Sequence, residues 1–170
     1  MDLFNQNEVK AEWLHPTEFP SMKGRDVVAI DLETCDTDLK KMGPGWPRKA
    51  GMVIGIALSS GDFTAYYPIA HEGGGNMDSD VVIKYIKGIC EDESIQKVFH
   101  NAQYDIGWLS VLNIEVKGYI HDTMIAAALL NENRYSFTLN SMVAEYLGEF
   151  KNEALLKAKA EELGLDPKAD

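Results

Sequence analysis

Asp26-Val27-Val28-Ala29-Ile30-Asp31-Leu32 is the stretch that decides the fold of this 170-residue chain. Its run of β-branched and apolar residues predicts a strand buried in the middle of a sheet. Asp31 and Glu33 stand at positions i and i+2 where this strand ends. Because side chains alternate between the two faces of a strand, we expect both carboxylates to point the same way.

Further apolar segments extend this strand into a mixed sheet. The turn residues of 59–62 separate two strand-like segments, which predicts that the first three strands form an antiparallel meander. Predicted strands and helices then alternate, so we expect an α/β fold with about five strands and helices on the faces of the sheet. The remaining predicted strands cover residues 52–58, 63–68, 97–100 and 116–120, and the predicted helices cover 79–89, 104–112, 124–130, 138–147 and 151–164.

The composition is that of a globular protein, with 45% hydrophobic and 25% charged residues. No apolar run is long enough to cross a bilayer and the N-terminus lacks the pattern of a secretory signal, so we predict no membrane partner. Two cysteines without metal-ligand spacing favour a reducing, cytoplasmic compartment. The net charge of −11 argues against a protein that grips long stretches of nucleic acid, unless some of the acids hold cations.

A second group of polar residues, His100-Asn101-Ala102-Gln103-Tyr104-Asp105, opens a predicted helix. Asn101 and Asp105 are four residues apart, which on a helix places them on one face. Each has an ordinary structural explanation as a helix cap or a first-turn acid, and Asp31 and Glu33 could be two exposed acids at a strand end. Two like charges so close are unfavourable unless a cation or a shared proton relieves them, and Mg²⁺ or Mn²⁺ suits carboxylate oxygens.

The two groups together resemble a known pattern. An Asp-x-Glu at the end of the first strand, followed by Asn-x-x-x-Asp at a strand-to-helix junction, resembles the first two motifs of the DEDD exonuclease superfamily. Residues 99–105, the segment His121-Asp122-Thr123-Met124 and residues 138–148 are similar to the proofreading domain of family A DNA polymerases, and the basic insert 40–49 resembles the phage type. The resemblance covers roughly residues 26–150 and implies a ribonuclease H-like fold.

The resemblance also implies roles for individual residues. Asp31, Glu33 and Asp105 would be catalytic and would bind two divalent ions, Mg²⁺ or Mn²⁺, provided that their side chains converge in one pocket. His100, Asn101 and Tyr104 would contact the terminal nucleotide. Asp122 would at most support the site indirectly, because the cap of a helix that begins at 123–124 explains an acid at this position well. The implied partners are the 3′ end of single-stranded DNA and a polymerase domain of the same parent chain, in a bacterial or phage-infected cell.

The third motif of the family, Tyr-x-x-x-Asp, does not follow Asp105 in this sequence. Tyr119, Tyr135 and Tyr146 are followed four residues later by Thr123, Leu139 and Phe150. The sequence therefore predicts an irregular lead-in at 1–24, an exonuclease domain at 25–150 and a C-terminal helix at 151–170 that stops before the last catalytic motif. We expect a fragment in this form to cut slowly or not at all.

Three other interpretations fit parts of the sequence. A ribonuclease D-like enzyme acting on RNA would carry the same carboxylates. A non-catalytic module of a polymerase would keep the fold, although such modules usually lack the acids that are present here. An acidic interaction domain with no role in nucleic-acid chemistry would require the ordered motifs to be a coincidence.

Overall fold

The fold is built on a five-stranded mixed sheet in the order β3-β2-β1-β4-β5. The structure, a computed structural model, describes residues 16–72 and 74–149. β1 (Val27–Cys35) is the central strand, and β2 (Met52–Ser60) and β3 (Phe63–Pro68) continue from it in antiparallel fashion. β4 (Gln96–Phe99) and β5 (Ile120–Asp122) lie parallel on its other side. The predicted α/β sheet with three antiparallel strands is confirmed.

Most of the apolar core covers one face of this sheet. On β1 the alternate residues Val28, Ile30 and Leu32 are buried, as the alternation of a half-covered strand requires. They belong to one cluster with the apolar side of α2 (Ser79–Cys90) and with Trp108 and Leu109 of α3 (Ala102–Val111). The β1 side chains between them, which include Asp31 and Glu33, face the opposite, more open side.

The fifth strand lies further along the chain than predicted. The prediction of a strand at 116–120 is wrong for its first four residues, because β5 begins only at Ile120. Gly118 has a φ of +77°, outside the range of a strand, and the Lys117 amide donates to the Cys90 carbonyl rather than to a neighbouring strand. Residues 116–119 therefore form a turn that delivers the chain to the sheet.

The segment 36–51 is more ordered than the predicted loop. It contains α1 (Leu39–Met42) and a 3₁₀ turn (Trp46–Arg48). The buried carboxylate of Asp36 accepts a hydrogen bond from the Gly45 amide at 2.6 Å and closes the segment. Trp46 packs on Gly107 of α3, where a Cβ would come within 2.3 Å of the indole ring. Because Arg48 donates to three carbonyls of its own segment, that part of the basic insert is structural.

Two helices complete the described part of the chain. α4 (Thr123–Leu130) begins directly after β5, and α5 (Leu139–Leu147) begins at Thr138, whose hydroxyl accepts from the Ser141 amide, and ends at Gly148 with a φ of +67°. Residues 16–24 contain no helix or strand. The helix predicted at 151–164 and the first fifteen residues of the predicted lead-in lie outside the described residues. Within 16–72 and 74–149, no helix has the length and apolar character needed to cross a membrane.

Candidate active site

The acidic residues of both motifs come together at one edge of the sheet. β1, β4 and β5 are parallel, so their carboxyl ends meet at the same edge, which is the usual position of a binding site in such sheets. Asp31 and Glu33 are exposed near the end of β1. α3 starts just after β4 and brings Asp105 to the same edge.

A hydrogen bond joins the second motif to the first. β4 pairs with β1 only as far as Ala29, so beyond that residue β1 has β2 on one side and no strand on the other. Asp105 fills this place, because its Oδ1 accepts from the backbone amide of Leu32 at 3.0 Å. The bond satisfies a buried donor that would otherwise lack a partner strand. It also fixes the Asp105 carboxyl beside the amide that lies between Asp31 and Glu33 in the chain.

The environment of Asp105 disfavours its negative charge. Its residue surface is 3% exposed. Burial is the main cause that raises the pKa of Asp105 to about 7, and the charges of Asp31 and Asp122 raise it further, while the bond from the Leu32 amide acts in the opposite direction. A buried carboxyl group near a second acid is a common feature of functional sites, since a cation or a proton is needed to stabilise it.

The arrangement fits a divalent ion held by few protein ligands. In the part of the chain that the structure describes, no group of three or more His, Cys, Asp or Glu side chains could hold a metal ion. The expected convergence of Asp31, Glu33 and Asp105 on one ion is therefore not present as a three-carboxylate cluster. Asp31 and Asp105 form a smaller oxygen-only set, and Mg²⁺ is often bound by one or two carboxylates together with waters and substrate phosphates. Their mutual repulsion is what such an ion would relieve.

Asp122 connects the N-termini of two helices. Its carboxylate caps α4 by accepting from the amides of Met124 and Ile125, as the sequence predicts. It also accepts from the amides of Asn101 and Ala102 at the start of α3, at 3.1 and 2.7 Å. Burial alone would raise the pKa of Asp122, but these four backbone amides outweigh it and lower the pKa. Asp122 thus fixes the helix that carries Asp105.

The three residues predicted to contact nucleotide surround this edge in different environments. Asn101 is exposed with a φ of +70°, so it does not share a helical face with Asp105, and Asp122 supplies the cap that was expected of it. Both ring nitrogens of His100 are engaged, Nδ1 with the Thr123 hydroxyl and Nε2 with the Phe137 carbonyl. The Tyr104 hydroxyl lies 2.6 Å from the Thr34 hydroxyl of β1.

An apolar cavity of about 240 Å³ opens on the less covered face of the sheet. Asp31 and His100 lie on its wall, together with apolar residues from β1, β2, β4 and α5, such as Val98 and Leu139. The cavity therefore combines an acidic group with an apolar surface of the kind that a nucleobase can contact.

Sequence reasoning missed the polar partners that orient this edge. Thr34 and Thr123 were not identified, although each contacts a predicted nucleotide-binding residue. Thr34 comes directly after Glu33, and strand alternation could have marked it as pointing toward the helix side. Nothing in the sequence signals the bond from the Leu32 amide to Asp105, because backbone amides carry no sequence label.

Comparisons with known proteins agree with this fold and this motif order. Residues 16–163 match the family model described as 3′–5′ exonuclease, that of family A DNA polymerases. The DNA-directed DNA polymerase of Pseudomonas phage M6 is 36% identical in an alignment of 168 positions that covers 95% of this chain and 25% of that protein. This chain thus spans about a quarter of the length of that relative.

Solved structures with this fold include two proteins at low sequence identity. Trypanosoma brucei RNase D superposes with a TM-score of 0.59 at 22% identity, covering 89% of this chain and 50% of that one. Brucella melitensis NrnC with bound Mg²⁺ gives a TM-score of 0.55 at 19% identity, covering 88% and 82%. These likenesses establish the fold. The family match and the phage relative show that the chain belongs to the 3′–5′ exonuclease domains of family A DNA polymerases.

Proposed function

We propose that this chain acts in proofreading by hydrolysing the 3′-terminal nucleotide of single-stranded DNA in a reaction that depends on divalent metal ions. The observation that carries the proposal is the hydrogen bond from the Leu32 amide to Asp105, because it ties the second acidic motif to the strand that bears Asp31 and Glu33. Membership of the exonuclease family supports the 3′-to-5′ direction.

Asp31, Glu33 and Asp105 are the proposed catalytic and metal-binding residues. Asp31, Glu33 and Asp105 would together hold two divalent ions, Mg²⁺ or Mn²⁺. Glu33 would also orient the attacking water. The ions would supply a water of lowered pKa and neutralise charge on the phosphate. Support comes from the oxygen-only donors and from the raised pKa of Asp105, which favours a nearby cation.

His100, Asn101 and Tyr104 are the proposed contacts to the terminal nucleotide. Since both ring nitrogens of His100 have partners in the protein, the ring face would contact the base. Stacking of this kind tolerates any base, as a proofreading enzyme requires. Asp122 would act only indirectly, by holding the start of α3.

The proposed partner is a polymerase domain in the same longer protein, in the cytoplasm of a bacterial or phage-infected cell. A net charge of −11 suits a domain that binds a few unpaired nucleotides while another domain holds the duplex. In this assignment residues 25–150 form the exonuclease domain, between a lead-in at 1–24 and the segment 151–170.

The proposal is tested by the release of a labelled 3′-terminal nucleotide from single-stranded DNA. No Tyr-x-x-x-Asp follows Asp105 within the 170 residues, so the assay compares this chain with the longer polymerase that carries it. We expect release by the polymerase in Mg²⁺, loss of release in EDTA, and weak release by the chain alone. Unchanged excision after Asp31→Ala in the polymerase would favour a non-catalytic module instead.

A ribonuclease D-like activity on RNA is the second candidate, because RNase D shares the fold. The same assay with an RNA oligonucleotide of matched sequence separates the two substrates. We expect faster release from DNA, because the relative with the higher sequence identity is a DNA polymerase. Equal or faster release from RNA would contradict the DNA assignment.

A further inference from the structure

Tyr66 of β3 lies on the same face of the sheet as the acids of β1. Asp31 pairs with Ala57 of β2, and Ala57 pairs with Tyr66, so these three residues form one row across three strands. Residues directly opposite one another in antiparallel strands point to the same face. The phenol of Tyr66 is therefore directed to the side of the sheet that carries Asp31 and Glu33.

The Tyr66 hydroxyl extends from this row toward Glu33. Gly55 pairs with Glu33, and a Cβ built on Gly55 would lie 1.9 Å from the Tyr66 Oη. The hydroxyl thus occupies the space that the side chain opposite Glu33 would fill. Opposed Cβ atoms of antiparallel strands are about 4.5–5.5 Å apart, which puts the hydroxyl within reach of a glutamate carboxylate. The charge of Glu33, after burial, contributes to raising the pKa of Tyr66 to about 12.

His71 holds the phenol in this position. Its Nε2 lies 2.5 Å from the Tyr66 Oη, and the two rings meet edge to face. The side chain of Asn76 binds the backbone of His71 with two hydrogen bonds, because it accepts from the His71 amide and donates to the His71 carbonyl. The register of β1 and β2 shifts between Glu33 and Thr34, which leaves Ile54 of β2 as an extra, unpaired residue. The Ile54 carbonyl accepts from the amides of residues 69 and 70, which come just before His71.

We propose that Tyr66, oriented by His71, is a positioning residue for Glu33. In this arrangement His71 donates from Nε2 to the phenolic oxygen, and Tyr66 donates its own hydrogen to the Glu33 carboxylate. Gly55 is required because any larger residue would displace the phenol. The inference deepens the proposed function, since it depends on Glu33 acting at the metal-binding edge.

The test measures the affinity of the 170-residue chain for Mn²⁺ by electron paramagnetic resonance. We expect Tyr66→Phe and His71→Leu each to weaken Mn²⁺ binding about tenfold, the usual cost of removing a group that orients a metal ligand. His71→Gln retains a donor near Nε2 and is expected to bind Mn²⁺ more tightly than His71→Leu. Tyr67→Phe is the matched control, because Tyr67 is buried on the opposite face and its hydroxyl donates to the Glu18 carbonyl.

The decisive arm is the double variant with Glu33→Gln. If Tyr66 acts through Glu33, Tyr66→Phe has no further effect once Glu33→Gln is present. Suppose that Glu33→Gln itself weakens Mn²⁺ binding. Additive losses in the double variant, or an unchanged affinity in Tyr66→Phe, then overturn this inference but leave the proposed function standing. If Glu33→Gln leaves Mn²⁺ binding intact, the proposed role of Glu33 fails and the inference fails with it. Urea unfolding of each variant distinguishes a loss of affinity from a loss of folded protein. Gly55→Ala is an independent test, because the added methyl group would displace the Tyr66 phenol.

Discussion

Lys97 and Asp105 are buried charged side chains at opposite ends of the parallel strands, and their surroundings differ. At the start of β4, Lys97 is fully buried and its Nζ donates to the carbonyls of Asp92 and Lys117 at 2.5 and 2.7 Å. At the opposite end, Asp105 is almost as buried, but it lies near the charge of Asp31. Burial lowers the pKa of Lys97 and raises that of Asp105.

The difference distinguishes a structural charge from one that we propose to be functional. Lys97 joins two loop carbonyls and lies near the negative charges of Asp92 and Glu93, so the protein itself stabilises its positive charge. Asp105 has a stabilising amide on one side and a repelling carboxylate on the other. A cation would stabilise a charge that the protein leaves under repulsion, and this is the physical basis for proposing metal binding at Asp105 rather than at Lys97.

The largest expected effect is the loss of catalysis in Asp105→Asn. A change that removes a metal ligand should slow nucleotide release by more than about a hundredfold, since loss of a group that only supports a ligand already costs 10–100-fold. The fold should persist, because the amide oxygen can still accept from the Leu32 amide. Nucleotide release by the polymerase and urea unfolding of the chain measure the two quantities. Loss of folding in step with loss of activity would contradict a functional role for this charge.

Lys97→Met should have the opposite outcome. The change leaves the Asp92 and Lys117 carbonyls without their donor, and we expect it to lower the free energy of unfolding by about 3 kcal/mol. Urea unfolding checks this value. Affinity for Mn²⁺ should stay the same in the folded fraction, and a weakened affinity would mean that the two ends of the sheet are coupled.

Asp122→Ala should lower the free energy of unfolding by about 2 kcal/mol. This is the upper end of the range for a helix cap, and we expect it because one carboxylate caps two helices. Thr138→Ala is the matched control, since Thr138 caps α5 alone through the Ser141 amide, and it should cost about 1 kcal/mol. Thermal or urea unfolding compares them. Equal costs would show that the bonds to α3 contribute little.

The smallest expected effect is a dependence of stability on pH without metal. Burial raises the pKa of Asp105 to about 7 in the folded chain, from the ordinary aspartate value of 3.8. Between these values the folded state binds more protons, so this stabilising contribution is present at low pH and is lost as the pH rises through 7. From pH 6 to pH 8 the free energy of unfolding should fall by about 1 kcal/mol.

Asp105→Asn should remove this part of the pH dependence. Urea unfolding of both proteins at the two pH values, in EDTA, gives the comparison. Saturating Mn²⁺ should also flatten the profile of the unaltered chain, because the cation favours the ionised carboxyl. An identical fall in Asp105→Asn would assign the dependence to another group.

The sequence predicted those parts of the fold that depend on periodicity and local signals. The sequence predicts β1 from its apolar run, the start of α4 from the cap at Asp122, and the end of α5 from Gly148. Each of these signals lies in residues close together in the chain. The position of β5 could not be predicted, because the apolar residues around 116 pack into the core from a turn whose shape is set by contacts with Cys90 and with β4.

Motifs in the sequence identify candidate residues for the site, but they do not predict which groups those residues contact. Asp31, Glu33 and Asp105 were chosen by motif, and the structure brings Asp31 and Asp105 to one edge. The helical spacing of Asn101 and Asp105 was misleading, because Asn101 adopts a left-handed conformation before the helix begins. The contact between His71 and Tyr66 could not be predicted from the sequence, because it depends on how the chain turns after β3, where the amides of residues 69 and 70 donate to Ile54 of β2.

The central claim is that Asp31 and Asp105 share a divalent cation at the carboxyl edge of the sheet. Anomalous diffraction from crystals of the chain grown with Mn²⁺ tests it most directly. We predict an anomalous peak at about 2.1 Å from an Asp31 oxygen and within one water molecule of Asp105. Saturating Mn²⁺ that gives no peak at this edge, or peaks only elsewhere, would contradict the claim.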